Sequence, residues 1–175
     1  PSQHLTKSLH SVLDLAGLIA RSHGMNLRPL FPYIKNKYNI RKYKNIHPIY
    51  LMVILRIADY MQLQADRAPE SVFKITKIMS PESRQEWNVH HAIEDIQYDQ
   101  HSDPEVVEIK VTPEKTTIDV FLRIQQWLRG IQKELDTSWA ILGEIYGRFQ
   151  SQKDLGLTIR RIRSNIDDSQ SFGKD

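Results

Sequence analysis

Phe121, Leu128, Leu135, Leu142 and Phe149 recur every seven residues, and Ile124, Ile131 and Ile145 form a companion row. That spacing is the apolar seam of one long α-helix, predicted from Thr117 onward. A seam of this length needs other elements to bury it, so it points to a mainly helical fold. Ser138 falls on the companion row where an aliphatic residue belongs, which makes the seam imperfect.

Near the start, Leu5, Leu9, Val12, Leu13, Ala16, Ile19 and Ala20 keep helical spacing, and His23 continues the same face before Gly24 supplies a stop. The spacing predicts that this face, His23 included, turns inward. A loop containing Pro29 and Pro32 follows. A second helix is predicted from Pro48 to Met61, apolar almost all the way round and so expected at the centre of a domain. Ser80 and Pro81 read as the N-cap and first position of a short helix running toward Trp87. The period then changes. Ala92, Glu94, Ile96 and Tyr98 alternate with polar neighbours, and Val107, Ile109 and Val111 do the same beyond a turn-rich break from Gln100 to Pro104, a hairpin pattern. Gly156 to Arg163 reads as a third strand with an exposed basic face, and the polar stretch from Asp168 as a disordered tail. The expectation is one mainly α, helical domain over residues 1–167 with a small antiparallel β-sheet insertion, and a tail over 168–175.

The 175 residues contain no Cys. That removes disulfides, thiolate zinc sites and cysteine nucleophiles, leaves His and carboxylate as the metal ligands, and fits a cytoplasmic protein. No apolar run approaches the roughly 18 residues that span a bilayer, and no signal-peptide pattern opens the chain, so no membrane partner is expected. The chain begins Pro1-Ser2-Gln3 inside a helical pattern, which suggests a segment of something longer. Charge is uneven: residues 1–60 carry 9 Lys/Arg against 2 Asp/Glu, and residues 61–120 carry 6 against 12. Much of the N-terminal excess lies in a Pro-punctuated, loop-like stretch, where Lys35, Lys37, Arg41, Lys42 and Lys44 alternate with Tyr33, Tyr38 and Tyr43. Such a stretch is either a solvated connector or a grip on the phosphate backbone of a nucleic acid.

Asp59 is the most informative side chain. A carboxylate inside an apolar helix costs several kcal/mol to bury as an unpaired ion, so it needs an arginine, a metal, a histidine or backbone donors. Arg56 lies three residues before it, and Arg67 follows in the next loop. One reading is a buried Asp–Arg pair that fixes helix geometry. The other joins Asp59 to the inward His23, because imidazole and carboxylate together accept Mg, Mn, Fe or Zn. His10 lies thirteen residues before His23 and cannot share its site, and His90 and His91 point apart. The absence of HExxH, Walker, GxGxxG and GxSxG patterns disfavours classical zinc proteases, P-loop ATPases, Rossmann enzymes and serine hydrolases.

The string Ile54-Leu-Arg-Ile-Ala-Asp59-Tyr-Met, followed by Asp66-Arg-Ala-Pro69, resembles the last metal-binding helix of the HD superfamily of metal-dependent phosphohydrolases, where an L-R-x-A-D segment supplies the final aspartate. Ala20-Arg-Ser-His23-Gly is similar to an earlier helix end of that superfamily. Trp127-Leu-Arg-Gly-Ile-Gln-Lys-Glu-Leu-Asp136 and Arg160-Arg-Ile-Arg-Ser-Asn-Ile-Asp167 are similar to a branch joined to Hsp90-like ATPase domains. The resemblance implies a divalent metal that activates water toward a phosphoester, often a nucleotide. It makes Asp59 the last metal ligand and His23 an accessory ligand or phosphate contact. It makes Arg56, Arg67 and Arg21 phosphate contacts, and an adjacent Hsp90-like ATPase domain the partner. The His-Asp dipeptide that names the superfamily occurs nowhere in the 175 residues. The chain alone is therefore expected to be an inactive, C-terminal portion of such a hydrolase. The alternatives are a non-catalytic helical interaction or regulatory domain, and nucleic-acid binding through the basic and aromatic stretch.

Overall fold

The computed structural model describes residues 2–62, 80–99, 101–147 and 155–166, with side chains in the first helix from His10 onward. The order of elements is α1 (Ser2–Arg21), α2 (Phe31–Tyr38), α3 (Pro48–Tyr60), α4 (Pro81–Ala92), β1 (Ile93–Tyr98), β2 (Val106–Val111), α5 (Ile118–Tyr146) and β3 (Arg161–Ser164). The fold is mainly α with a small sheet, as the apolar spacing predicts. The chain divides into two compact units, Pro1–Tyr60 with Asp136–Leu157 and Met61–Leu135 with Thr158–Asp175, so α5 contributes to both.

In the first unit the inward face of α1 runs through Val12, Leu15, Ile19 and Ser22, with Leu15 and Ser22 fully buried. Leu13, Ala16, Ala20 and His23 are exposed, Leu13 to 60%. The expected face is thus about one residue off. The reason is that α1 carries two adjacent rows with helical spacing, and periodicity alone does not choose between them. Pro29 and Pro32 each stand in the first turn of a helical segment, Pro32 opening α2, where a missing N–H costs nothing. Much of the stretch expected as a loop is therefore helix, anchored by buried Ile34 and Tyr38. The start of α3 at Pro48 is as predicted. Its burial is one-sided, through Pro48, Ile49, Met52, Val53 and Ile57, while Leu51, Ala58, Asp59 and Tyr60 are exposed. The C-terminal part of α5 buries Ile141, Leu142 and Ile145 and ends at Gly147, whose φ of +82° suits glycine. Ser138 is buried here, and its Oγ has no hydrogen-bond partner among the described residues. Phe149 lies outside the described residues.

In the second unit Ser80 caps α4, its Oγ accepting from the Ser83 N–H at 3.2 Å, with Pro81 in the first turn, as predicted. The helix runs five residues past Trp87, so Ala92 closes α4 and the strand begins at Ile93. β1 pairs antiparallel with β2 from Ile93↔Val111 to Tyr98↔Val107, with a bulge between Ile93 and Asp95. β3 lies on the other side of β2 and pairs parallel, from Val106↔Arg161 to Ile109↔Ser164. The sheet is therefore mixed where an antiparallel one was expected, because α5 intervenes between β2 and β3 and provides the crossover that parallel pairing needs. The third strand, expected over Gly156 to Arg163, is assigned over Arg161–Ser164, with the Arg160 N–H also bonded to the Glu105 carbonyl at 2.8 Å. Its arginines are exposed, as predicted, and each lies near a carboxylate: Arg161 meets Asp103 at 3.4 Å, Arg163 meets Glu108 at 3.7 Å, and Arg160, just before the strand, meets Glu105 at 3.6 Å. The Gln132 amide of α5 donates to the Arg160 carbonyl at 2.8 Å and accepts from the Ile162 N–H at 3.1 Å, occupying backbone groups that an edge strand would otherwise expose. Phe121, Ile124, Leu128, Ile131 and Leu135 of the predicted seam are all buried in this part of α5, and so is Val120 beside them. The tail expected from Asp168 lies outside the described residues.

Candidate functional site

Three of the residues singled out by the sequence, His23, Arg56 and Asp59, lie where α1 ends against α3. A tight 3-10 turn over Ser22–Gly24 prolongs α1, with the Met25 N–H bonded to the Ser22 carbonyl at 3.0 Å. Helix ends leave carbonyls without N–H partners and carry partial negative charge, which favours a cation. Arg56 of α3 supplies it. Its Nη1 donates to the carbonyls of Ser22 at 3.0 Å, His23 at 2.9 Å and Met25 at 2.5 Å. One nitrogen of the guanidinium that the resemblance assigns to phosphate, Nη1, is thus engaged with backbone.

His23 is exposed, although the spacing predicts it inward. Its Nδ1 lies 2.6 Å from the Ala20 carbonyl. A carbonyl only accepts, so Nδ1 carries a proton, and in the neutral ring Nε2 is the nitrogen with the lone pair. Metal-binding imidazoles are oriented by the same kind of bond. Asp59 is also exposed, in the last turn of α3, and makes no ion pair among the described residues. A buried Asp59–Arg56 pair is therefore not formed: the helix stops at Tyr60, one residue on, and the carboxylate is exposed. Arg21 is exposed at the end of α1, and Arg67 lies outside the described residues. His23 and Asp59 stand on packed elements, joined through Arg56, but do not bond to each other. The donor types suit a divalent metal. The number does not: among the described residues no three His, Asp or Glu side chains gather closely enough to hold one.

The basic and aromatic stretch is built into the first unit. Tyr38 packs edge-on against Tyr33 and Tyr43, with ring centroids 6.2 and 5.4 Å apart. Lys37 lies over the rings of Tyr33 and Tyr38, and Lys44 over Tyr43. The Tyr43 hydroxyl and Lys44 Nζ both donate to Ser11 Oγ, at 2.8 and 3.0 Å. The Ser11 hydroxyl, with Lys44 behind it, holds the Tyr43 phenol below its usual range, and the Tyr38 and Tyr33 hydroxyls hold Lys37 above its own. Arg41 Nε donates to the Ile145 carbonyl at 3.0 Å. Base stacking needs open ring faces. Tyr38 is buried and Tyr43 half-buried, which leaves Tyr33 as the most open of the three.

Two features have no counterpart in the sequence reading. His47 donates from Nδ1 to the Arg41 carbonyl at 2.9 Å and packs against Tyr146, whose hydroxyl accepts from the Tyr50 N–H at 3.3 Å. The His47-Pro48 pair at the head of α3 is the signal that could have drawn notice. In the second unit an open cleft of about 400 Å³ lies between Arg84, Gln85 and Asn88 of α4 and Thr117 and Asp119 at the start of α5. None of the predicted site residues lines it.

A family model described as HD-CE matches residues 4–137. No curated protein and no solved structure matches the chain.

Proposed function

Since the chain belongs to the HD-CE family, we propose that it supplies part of an HD-type metal-dependent phosphohydrolase site. His23 and Asp59 are its contribution to the ligands of a divalent metal, and the substrate is a phosphoester, a nucleotide included. The observation that carries the reading is the Nδ1–H bond of His23 to Ala20, which leaves Nε2 exposed as a lone-pair donor near the helix end that bears Asp59. The metal, when bound, activates water for attack on phosphorus. Two ligands fall short of the roughly three protein ligands that a catalytic centre uses. The remaining ligands are not among the described residues.

The test is calorimetric titration of Mn²⁺ into the chain and into its His23→Ala and Asp59→Ala forms, paired with a phosphodiester assay of the intact protein. Both substitutions should weaken Mn²⁺ binding and abolish turnover. Unchanged metal content and activity in Asp59→Ala would end the hydrolase reading.

A further inference from the structure

We infer that Arg56 is a positioning residue for His23, rather than a contact for substrate; the inference rests on the reading of His23 as a ligand. The carbonyls of Ser22, His23 and Met25 converge on one nitrogen. That convergence requires the chain to close the Ser22–Gly24 turn. His23 sits in the middle of the turn, and its ring reaches back to the Ala20 carbonyl only while the turn is closed. An imidazole free in water ordinarily carries its neutral-state proton on Nε2. Here the Ala20 carbonyl draws it to Nδ1, so the orientation and the tautomer of His23 depend on a turn that Arg56 clasps.

The same side chain stands three residues before Asp59 on α3. It therefore fixes the end of α1 that presents His23 against the end of α3 that presents Asp59. The three carbonyls share the two hydrogens of one nitrogen, Nη1, so a side chain without donors loses the clasp, while an ammonium, with three hydrogens on a shorter stem, keeps part of it. The Arg of Leu55-Arg56-Ile57-Ala58-Asp59 thus has a task separate from phosphate.

Side-chain ¹⁵N NMR of the full chain, without added metal and above the His titration range, tests this in the wild type, Arg56→Lys and Arg56→Met. The wild type should report His23 as the Nδ1–H tautomer. Arg56→Met should move His23 toward the Nε2–H form and leave His90 and His101 unchanged, and Arg56→Lys should move it less. A His23 that is Nε2–H in the wild type overturns the proposal whether or not the variants fold. So does an unmoved Nδ1–H signal in an Arg56→Met chain that keeps its helical circular dichroism. Mn²⁺ titration then separates the two readings: affinity should fall about tenfold in Arg56→Met. A tautomer shift in a chain that binds no Mn²⁺ leaves the positioning role standing and removes the metal role of His23.

Discussion

The side-chain amide of Asn165 pairs with the backbone of Val111 in both directions, accepting from its N–H at 2.7 Å and donating to its carbonyl at 3.1 Å. Asn165 follows β3, and it prolongs the partnership of β2 past the last strand pair at Ile109↔Ser164. Val111 is only 2% exposed, so water is a poor substitute. Asn165→Ala leaves a buried donor and a buried acceptor without that partner. It should destabilise by about 1–3 kcal/mol, read as a lower urea midpoint at constant slope. An unmoved midpoint would show the amide to be dispensable.

Ser138 offers the opposite sign. Its Oγ is desolvated and has no partner among the described residues, on a row of α5 otherwise filled by isoleucine. Ser138→Ala removes an unpaired hydroxyl and adds a better helix former, for a gain of about 1 kcal/mol. Equilibrium unfolding should show a raised midpoint with the slope kept. A lowered midpoint would mean that the hydroxyl is satisfied in solution.

Two tyrosines should titrate at opposite ends of the range. Burial pushes the Tyr146 phenol up to about 12, with the Tyr50 N–H opposing the rise. The folded state therefore favours the neutral phenol. Its contribution is fully present below the unfolded value near 10 and is lost as pH climbs through about 12. Tyr43, lowered by Ser11 and Lys44, should ionise before it. Phenolate absorbance against pH checks the order, and Tyr146→Phe should delete the last step and flatten the alkaline loss of stability.

How much was legible varies from element to element. The seven-residue row was a sound guide to α5, since Phe121, Leu128, Leu135 and Leu142 are all buried. Ser80 with Pro81 marked the start of α4 because capping is local chemistry. The inward face of α1 was misread because Leu13 and Leu15 head rival rows, and only tertiary packing selects Leu15. The direction of β3 was readable in principle, since a long helix between two strands of one sheet is a crossover. At the site, residue types pointed to His23, Asp59 and Arg56, but exposure did not follow from them. The partners of Arg56 are backbone carbonyls 31 to 34 residues away, and a backbone atom leaves no signature in a side-chain pattern.

Asp59 provides the sharpest separation of site from fold. A buried Asp–Arg pair would lose about 3–5 kcal/mol on truncation, because the arginine would be left unpaired. The observed carboxylate is exposed and sits in the last turn of α3, where the helix end already carries partial negative charge. Removing it should relieve a small repulsion. Asp59→Ala is therefore expected to melt within about 0.5 kcal/mol of the wild type, on the stabilised side if anything. Thermal melts without metal check this, and a loss of several kcal/mol would restore the buried pair. With stability unmoved, any fall in Mn²⁺ affinity of Asp59→Ala reports the loss of a ligand rather than damage to the fold.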